Sequence, residues 1–201
     1  MEFEKQQEAD DNKDKTASNA ASQTTLTKQQ SETLILLFQF IGIKYDPVIN
    51  PIFPQLVVDL AKGLETSHDY DNAVKKDNFA ANKDKCNKFV FDVITCAGAN
   101  PGCPNGRLAI IGFGSSPPTA NQWGDPSFKI PNWVVVTTPR AGDVVARATS
   151  DEGHCAIMIN SKQSIGASHH DGIRVTYFGS SRTWIMKPGE KYVYRRYVPT
   201  E

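Results

Sequence analysis

The apolar positions divide the chain into three stretches of different character. Through residues 1–30 only Phe3 and Leu26, after Met1, are large aliphatic or aromatic residues, among Gln, Asn, Asp, Lys, Ser and Thr. So little apolar surface cannot offset the entropy of ordering the segment, which is expected to be a mobile tail or a loosely docked arm. Its removal is expected to leave the fold intact, with residues 31–201 forming a single domain. From Ser31 the pattern becomes helical: Leu34, Ile35, Leu37, Phe38 and Ile41 form a broad stripe that ends near Gly42. Pro51 and Pro54 mark a turn, and a short helix over Gln55–Lys62 begins with Pro54 at its start. Residues 66–83 are polar and read as a loop or broken helix.

The strongest helical signal starts at Cys86. Phe89, Val90, Val93, Ile94 and Ala97 follow it on one face, with Asp84 as the expected N-cap and Gly98 as the stop. Residues 98–131 are rich in Gly, Pro and Asn and read as long loops. The apolar period then changes to two. Strands are expected over Trp133–Thr137, Asp143–Ala148, His154–Asn160, Gln163–Ser168, Gly172–Phe178 and Lys191–Tyr197. Helices first and an antiparallel sheet second define an α+β fold. No internal repeat is visible.

Composition narrows the functional classes. The 201 residues carry 22 Lys+Arg and 22 Asp+Glu, a formal net charge of zero, so nothing in the charge points to nucleic acid or an anionic membrane as partner. The longest apolar run, Thr33–Ile43, is broken by Gln39 and too short to span a bilayer. The opening residues Met1–Lys15 have neither a basic n-region nor an apolar h-region, so no Sec signal is expected there. The four cysteines are separated by nine, six and fifty-one residues, which is neither a disulfide scaffold nor a paired zinc knuckle.

One cysteine has a chemically useful address. At the first turn of a helix, unpaired N–H groups and the positive dipole end favour the thiolate of Cys86, and its own amide can serve an oxyanion. The commoner fate of a helical cysteine is a buried apolar one, and both readings stay open on this residue alone. Further on, Pro139-x-x-Gly142-Asp143 enters one strand and Gly153-His154 opens the next. Alternation sets His154, Ala156 and Met158 on one face and Cys155, Ile157 and Ile159 on the other. A helix packed on the His154 face would give a thiol–imidazole pair, whereas a strand-end histidine satisfied by water is the plainer alternative.

Taken together, the cysteine at a helix start, the Pro-x-x-Gly-Asp-Val-Val turn and the Gly-His-x-x-Ile strand start resemble the NlpC/P60 and CHAP peptidoglycan hydrolases, over roughly residues 84–178. The block Lys85–Val93, with Trp123-Gly124-Asp125-Pro126 and Ile130-Pro131-Asn132-Trp133, is similar to the amidase effectors of bacterial type VI secretion. The resemblance implies a papain-like fold, with the nucleophile helix packed on the sheet, Cys86 as nucleophile and His154 as general base. It implies a cysteine amidase or peptidase acting on amide bonds of peptidoglycan stem peptides, with no metal or organic cofactor. It also implies a monomeric toxin with a cognate immunity protein and a secretion-machine component as partners, made in the cytoplasm and acting in a target cell's periplasm.

The third catalytic position departs from the families. Where many NlpC/P60 enzymes carry a histidine stands Gly166; CHAP spacing points to Asp171; Ser168 shares the strand face of Gly166, and His169 is adjacent. Asp171 and Ser168 are the leading candidates, with His169 or a backbone carbonyl as alternatives. Two rival functions remain: a papain-like deamidase or transglutaminase toxin acting on proteins, and a non-catalytic wall-binding or adaptor module. Cys96 and Cys103 are near enough in sequence for a disulfide or for two free thiols. Cys155 is expected to be core, facing away from His154. Trp123, Trp133 and Trp184 fit either a substrate groove or core plugs, and Arg195-Arg196 reads as a solvated edge.

Overall fold

A computed structural model describes residues 52–105, 116–149, 153–177 and 191–199. The tail 1–30, the helix expected from Ser31 to Gly42 and Trp184 lie outside the described residues. The first described helix, α1 (Ile52–Gly63), begins three residues before the expected start, so that Pro54 falls in its first turn. Proline is tolerated there because first-turn N–H groups have no acceptor within the helix. Phe53, Leu56, Val57, Val58 and Ala61 form its buried face.

Helix α2 (Cys86–Cys96) buries every residue of the predicted stripe: Cys86, Phe89, Val90, Val93, Ile94 and, just past its end, Ala97. Its N-cap is Lys85, which gives no side-chain cap. Asp84 is one residue too early for that role, and its carboxylate meets Asn72 and His169 instead. The stop is as expected. Gly98 takes φ +94°, where side chains are strained, and Ala99 N–H reaches back to the Ile94 carbonyl at 2.9 Å.

Within the stretch expected to be loop lies a short helix, α3 (Ala120–Gly124). Thr119 and Gln122 form a reciprocal capping box, the Thr-x-x-Gln pattern that marks such a start in sequence. The helix buries Trp123 edge-on against Trp133, with ring centroids 5.1 Å apart. Both rings are core plugs and neither lines a groove.

Six strands follow: β1 (Trp133–Val136), β2 (Val144–Arg147), β3 (His154–Met158), β4 (Gln163–Ala167), β5 (Ile173–Tyr177) and β6 (Tyr192–Tyr197). They form one antiparallel sheet in the order β1-β6-β2-β3-β4-β5. The fold is thus α+β, as expected. The last strand is not an edge, however, because β6 inserts between β1 and β2. The reading of Arg195-Arg196 as a solvated edge is corrected accordingly. Arg195 is 2% exposed and donates to the carbonyls of Trp123, Asp125 and Phe128, pinning the chain after α3 to the sheet. Arg196 grips the buried Asp143 with two hydrogen bonds of 2.9 and 2.8 Å.

Val144, Ala146, Cys155, Ile157, Ile165 and Ala167 share one core with the three helices. Val145, Ala156 and Met158 lie on the opposite face with Tyr192 and Tyr194. The expectation that α2 would pack on the His154-Ala156-Met158 face is therefore corrected: α2 covers the row of Cys155 and Ile157. That row is the more apolar of the two, and burying it against a helix removes more apolar surface from water.

Candidate active site

The site is assembled where α2 begins over the start of β3. Cys86 is the first residue of α2 and 6% exposed. It shares the core with Cys155 and lines a small cavity with His154. The Cys155 thiol and the nearby imidazole hold the Cys86 thiol well below its ordinary range, although burial alone would raise it. Cys155 is pushed the opposite way, mainly by burial and further by the Cys86 charge beside it. The two shifts run in opposite directions, which favours the thiolate at Cys86 over that at Cys155. Helix geometry adds to the asymmetry, since the first-turn N–H groups of α2 carry the positive end of its dipole.

His154 reaches this place because of the glycine before it. Gly153 takes φ +66°, and a Cβ there would lie 2.3 Å from Asn121 Oδ1 and 2.8 Å from the Arg147 carbonyl. Its N–H donates to Thr149 Oγ1 at 2.8 Å. Asn121 in turn accepts from Thr149 N–H at 3.0 Å, so α3, the end of β2 and the start of β3 are tied together. Being the first residue of β3, His154 is not confined to one face of the sheet and meets Cys86 at the strand end.

On the other side, a buried lysine fixes the helix start. Lys85 is 1% exposed, and its ammonium donates to the carbonyls of Asp71, Asn72 and Lys83 at 3.2, 3.2 and 2.8 Å. All three donors are used, which is what a buried ammonium requires. Desolvation nevertheless holds Lys85 below the usual lysine range. The 66–83 segment is irregular, with turns and no helix, and this clamp makes it one wall of a cleft. The cleft has a volume of about 490 Å³ and opens onto Cys86, with Phe79, Lys83 and Asp84 on one side and Thr119 and Asn121 on the other.

Of the candidates for a third residue, Ser168 and His169 line a cavity of about 20 Å³ together with Cys86, His154 and Asp84, among others. Pairs Ile157↔Ile165 and Met158↔Ser164 set the register of β3 on β4. Extended to the strand ends, that register sets Ser168 opposite His154. Ser168 Oγ donates to Asp171 Oδ2 at 3.2 Å. Asp171 does not line the cavity; its side chain is 60% exposed and also pairs with Arg174 at 2.8 Å. His169 Nε2 pairs with Asp84 at 3.1 Å. Gly166 sits under Ala156, where a Cβ would come within 2.8 Å of the alanine's own, leaving no room for the histidine of the NlpC/P60 pattern.

Cys155 is core, as expected, but its contact with Cys86 was not legible from alternation alone. The greater apolarity of its row is the signal that would have shown which face meets the helix. Cys96 and Cys103 are not joined in a disulfide. Among the described residues no three His, Cys, Asp or Glu side chains converge as a metal site, and no helix is long and apolar enough to cross a membrane.

Comparison with protein families finds no match, and neither does comparison with curated proteins. Among solved structures, the chain is similar to the peptidoglycan hydrolase RipB from Mycobacterium tuberculosis. The identity is 12% and the TM-score 0.47, over 92% of this chain and 90% of that one. A likeness that weak fixes neither family nor activity, and the functional reading stands on residues and geometry.

Proposed function

We propose that the protein is a cysteine amidase or peptidase of the NlpC/P60–CHAP type that hydrolyses an amide bond in peptidoglycan stem peptides. One observation carries the chemistry: Cys86, at a helix start, lines a small cavity with His154 and also opens onto the larger cleft. The Cys86 thiolate attacks the amide carbon. The Cys86 N–H stabilises the oxyanion, His154 protonates the departing amine, and water activated by His154 then releases the acid from the thioester. Ser168, backed by Asp171, orients the imidazole. The substrate class is supported by the Cys86, Pro139–Val145 and Gly153–Ile157 motifs.

The likeness of Lys85–Val93 to type VI amidase effectors supports a narrower role, that of an antibacterial toxin delivered to a periplasm and countered by an immunity protein. Two experiments test these levels separately. Purified sacculi incubated with the protein should yield muropeptides with one amide bond cut, identified by mass spectrometry. Unchanged sacculi together with ammonia release from protein glutamine would replace the reading by a deamidase, and no product of either kind by a non-catalytic module. For the toxin role, expression directed to the periplasm should lyse cells while cytoplasmic expression does not; equal tolerance of both would remove it.

A further inference from the structure

Cys155 makes and breaks no bond in the proposed hydrolysis, yet it shares the core with the cysteine that would. The two cysteines come from different elements, α2 and β3, with Cys96 and Cys103 between them in sequence, and meet inside one core. Their exposures differ in a useful way. Cys86 is 6% exposed and lines the cleft, whereas Cys155 is fully buried. A small oxidant entering the cleft therefore reaches Cys86 first, and Cys155 lies behind it in the same core.

We propose that Cys86 and Cys155 form a reversible oxidation site, in which hydrogen peroxide oxidises Cys86 and Cys155 resolves the product to an intramolecular disulfide. In the first step the Cys86 sulfur takes one peroxide oxygen as sulfenic acid, the O–O bond breaks, and the other oxygen leaves as water after taking up a proton. In the second the Cys155 sulfur attacks the Cys86 sulfur, the S–O bond breaks, and the hydroxyl leaves as water with the Cys155 proton. Overall two thiols lose two electrons and one peroxide gains them, giving a disulfide and two waters. The neutral sulfenic acid no longer exerts the negative charge that helps keep Cys155 protonated, so the first step favours the second. Closing the gap to the ~2.05 Å of an S–S bond needs rotation of the two side chains and a small movement of the start of α2.

The site rests on the proposed function only for its consequence, loss of hydrolysis while the disulfide is present. Its existence is read by mass. The full chain carrying Cys96→Ser and Cys103→Ser would be treated with hydrogen peroxide, quenched and mapped without reduction. The expected result is a peptide pair joined through Cys86 and Cys155, with no sulfinic acid, which dithiothreitol returns to two free thiols. Where the sacculus digest shows activity, that activity should fall at least ~10-fold on oxidation and recover on reduction. Cys155→Ala, or Cys155→Ser should the alanine variant not fold, should instead leave Cys86 as sulfinic acid that dithiothreitol does not restore. Recovery of Cys86 as sulfinic acid in the chain that keeps Cys155 would overturn the proposal, as would no oxidation at all. An inactive protein that still forms the disulfide would defeat the functional reading and leave this one standing.

Discussion

At Cys86 three influences act on one sulfur: the Cys155 thiol, the His154 imidazole and the burial that opposes both. An ordinary thiol titrates near ~8.5 and is mostly protonated at neutral pH. Held below that range, the Cys86 thiolate persists to lower pH than an ordinary thiolate and is lost as pH falls through its lowered value. In a Cys96→Ser/Cys103→Ser background, iodoacetamide should therefore label Cys86 at a pH below the ordinary thiol value, and His154→Ala should shift the labelling profile upward in pH. A wild-type profile centred at the ordinary thiol value would contradict the pairing. For hydrolysis, Cys86→Ala should reduce kcat by ~10³-fold or more without changing the far-UV spectrum, since the side chain does the chemistry and adds little to the core.

The third position is also decided at this scale. Because Ser168 lies across from His154 and Asp171 lies behind Ser168, Ser168→Ala should lower kcat more than Asp171→Asn does, within a range of ~10²–10⁴-fold set by triad enzymes, with little change in KM. Asp171→Asn costing more than Ser168→Ala would return the role to the acidic residue. CHAP spacing favours Asp171; the register favours Ser168, and neither could be weighed before the strands were paired.

Elements carry the site through contacts that a single sequence shows poorly. The starts of α2 and β3 were legible because each has a local cause: Cys86 opens an apolar stripe, Gly98 stops it, and Gly153 turns the chain into β3. What those elements meet has no local cause. Arg195 read as an edge residue because nothing in Tyr192–Tyr197 tells that β6 slots between β1 and β2. Its guanidinium satisfies three carbonyls at once, so Arg195→Met should leave them unpaired and cost ~2–4 kcal/mol in urea denaturation. A cost under ~1 kcal/mol would mean that water takes over those carbonyls. Gly153→Ala tests the turn before His154. A Cβ at positive φ against Asn121 and the Arg147 carbonyl should destabilise by ~1–3 kcal/mol and lower kcat through a displaced imidazole. Wild-type kcat in that variant would show that the turn does not set the ring.

Across the whole molecule, the α+β class and all six strands followed from hydrophobic period alone, since alternation and helical spacing are properties of neighbouring residues. The face of the sheet that receives α2 did not, because alternation separates two rows without saying which is buried. His154 thus pairs with Cys86 from the strand end, and Cys155 becomes the contact beneath. Lys85 escaped notice for a related reason: a lysine before a helix looks solvated until the carbonyls of Asp71, Asn72 and Lys83 are seen around it. The clamp, the turn at Gly153 and the cleft converge on one sulfur, and the account stands or falls with what that sulfur does. Digestion of purified sacculi by the wild-type protein and by Cys86→Ala, read by mass spectrometry, measures this most directly. The account predicts muropeptides with one amide bond cut for the wild type and none for the variant. Equal products from both, or from neither, would contradict it.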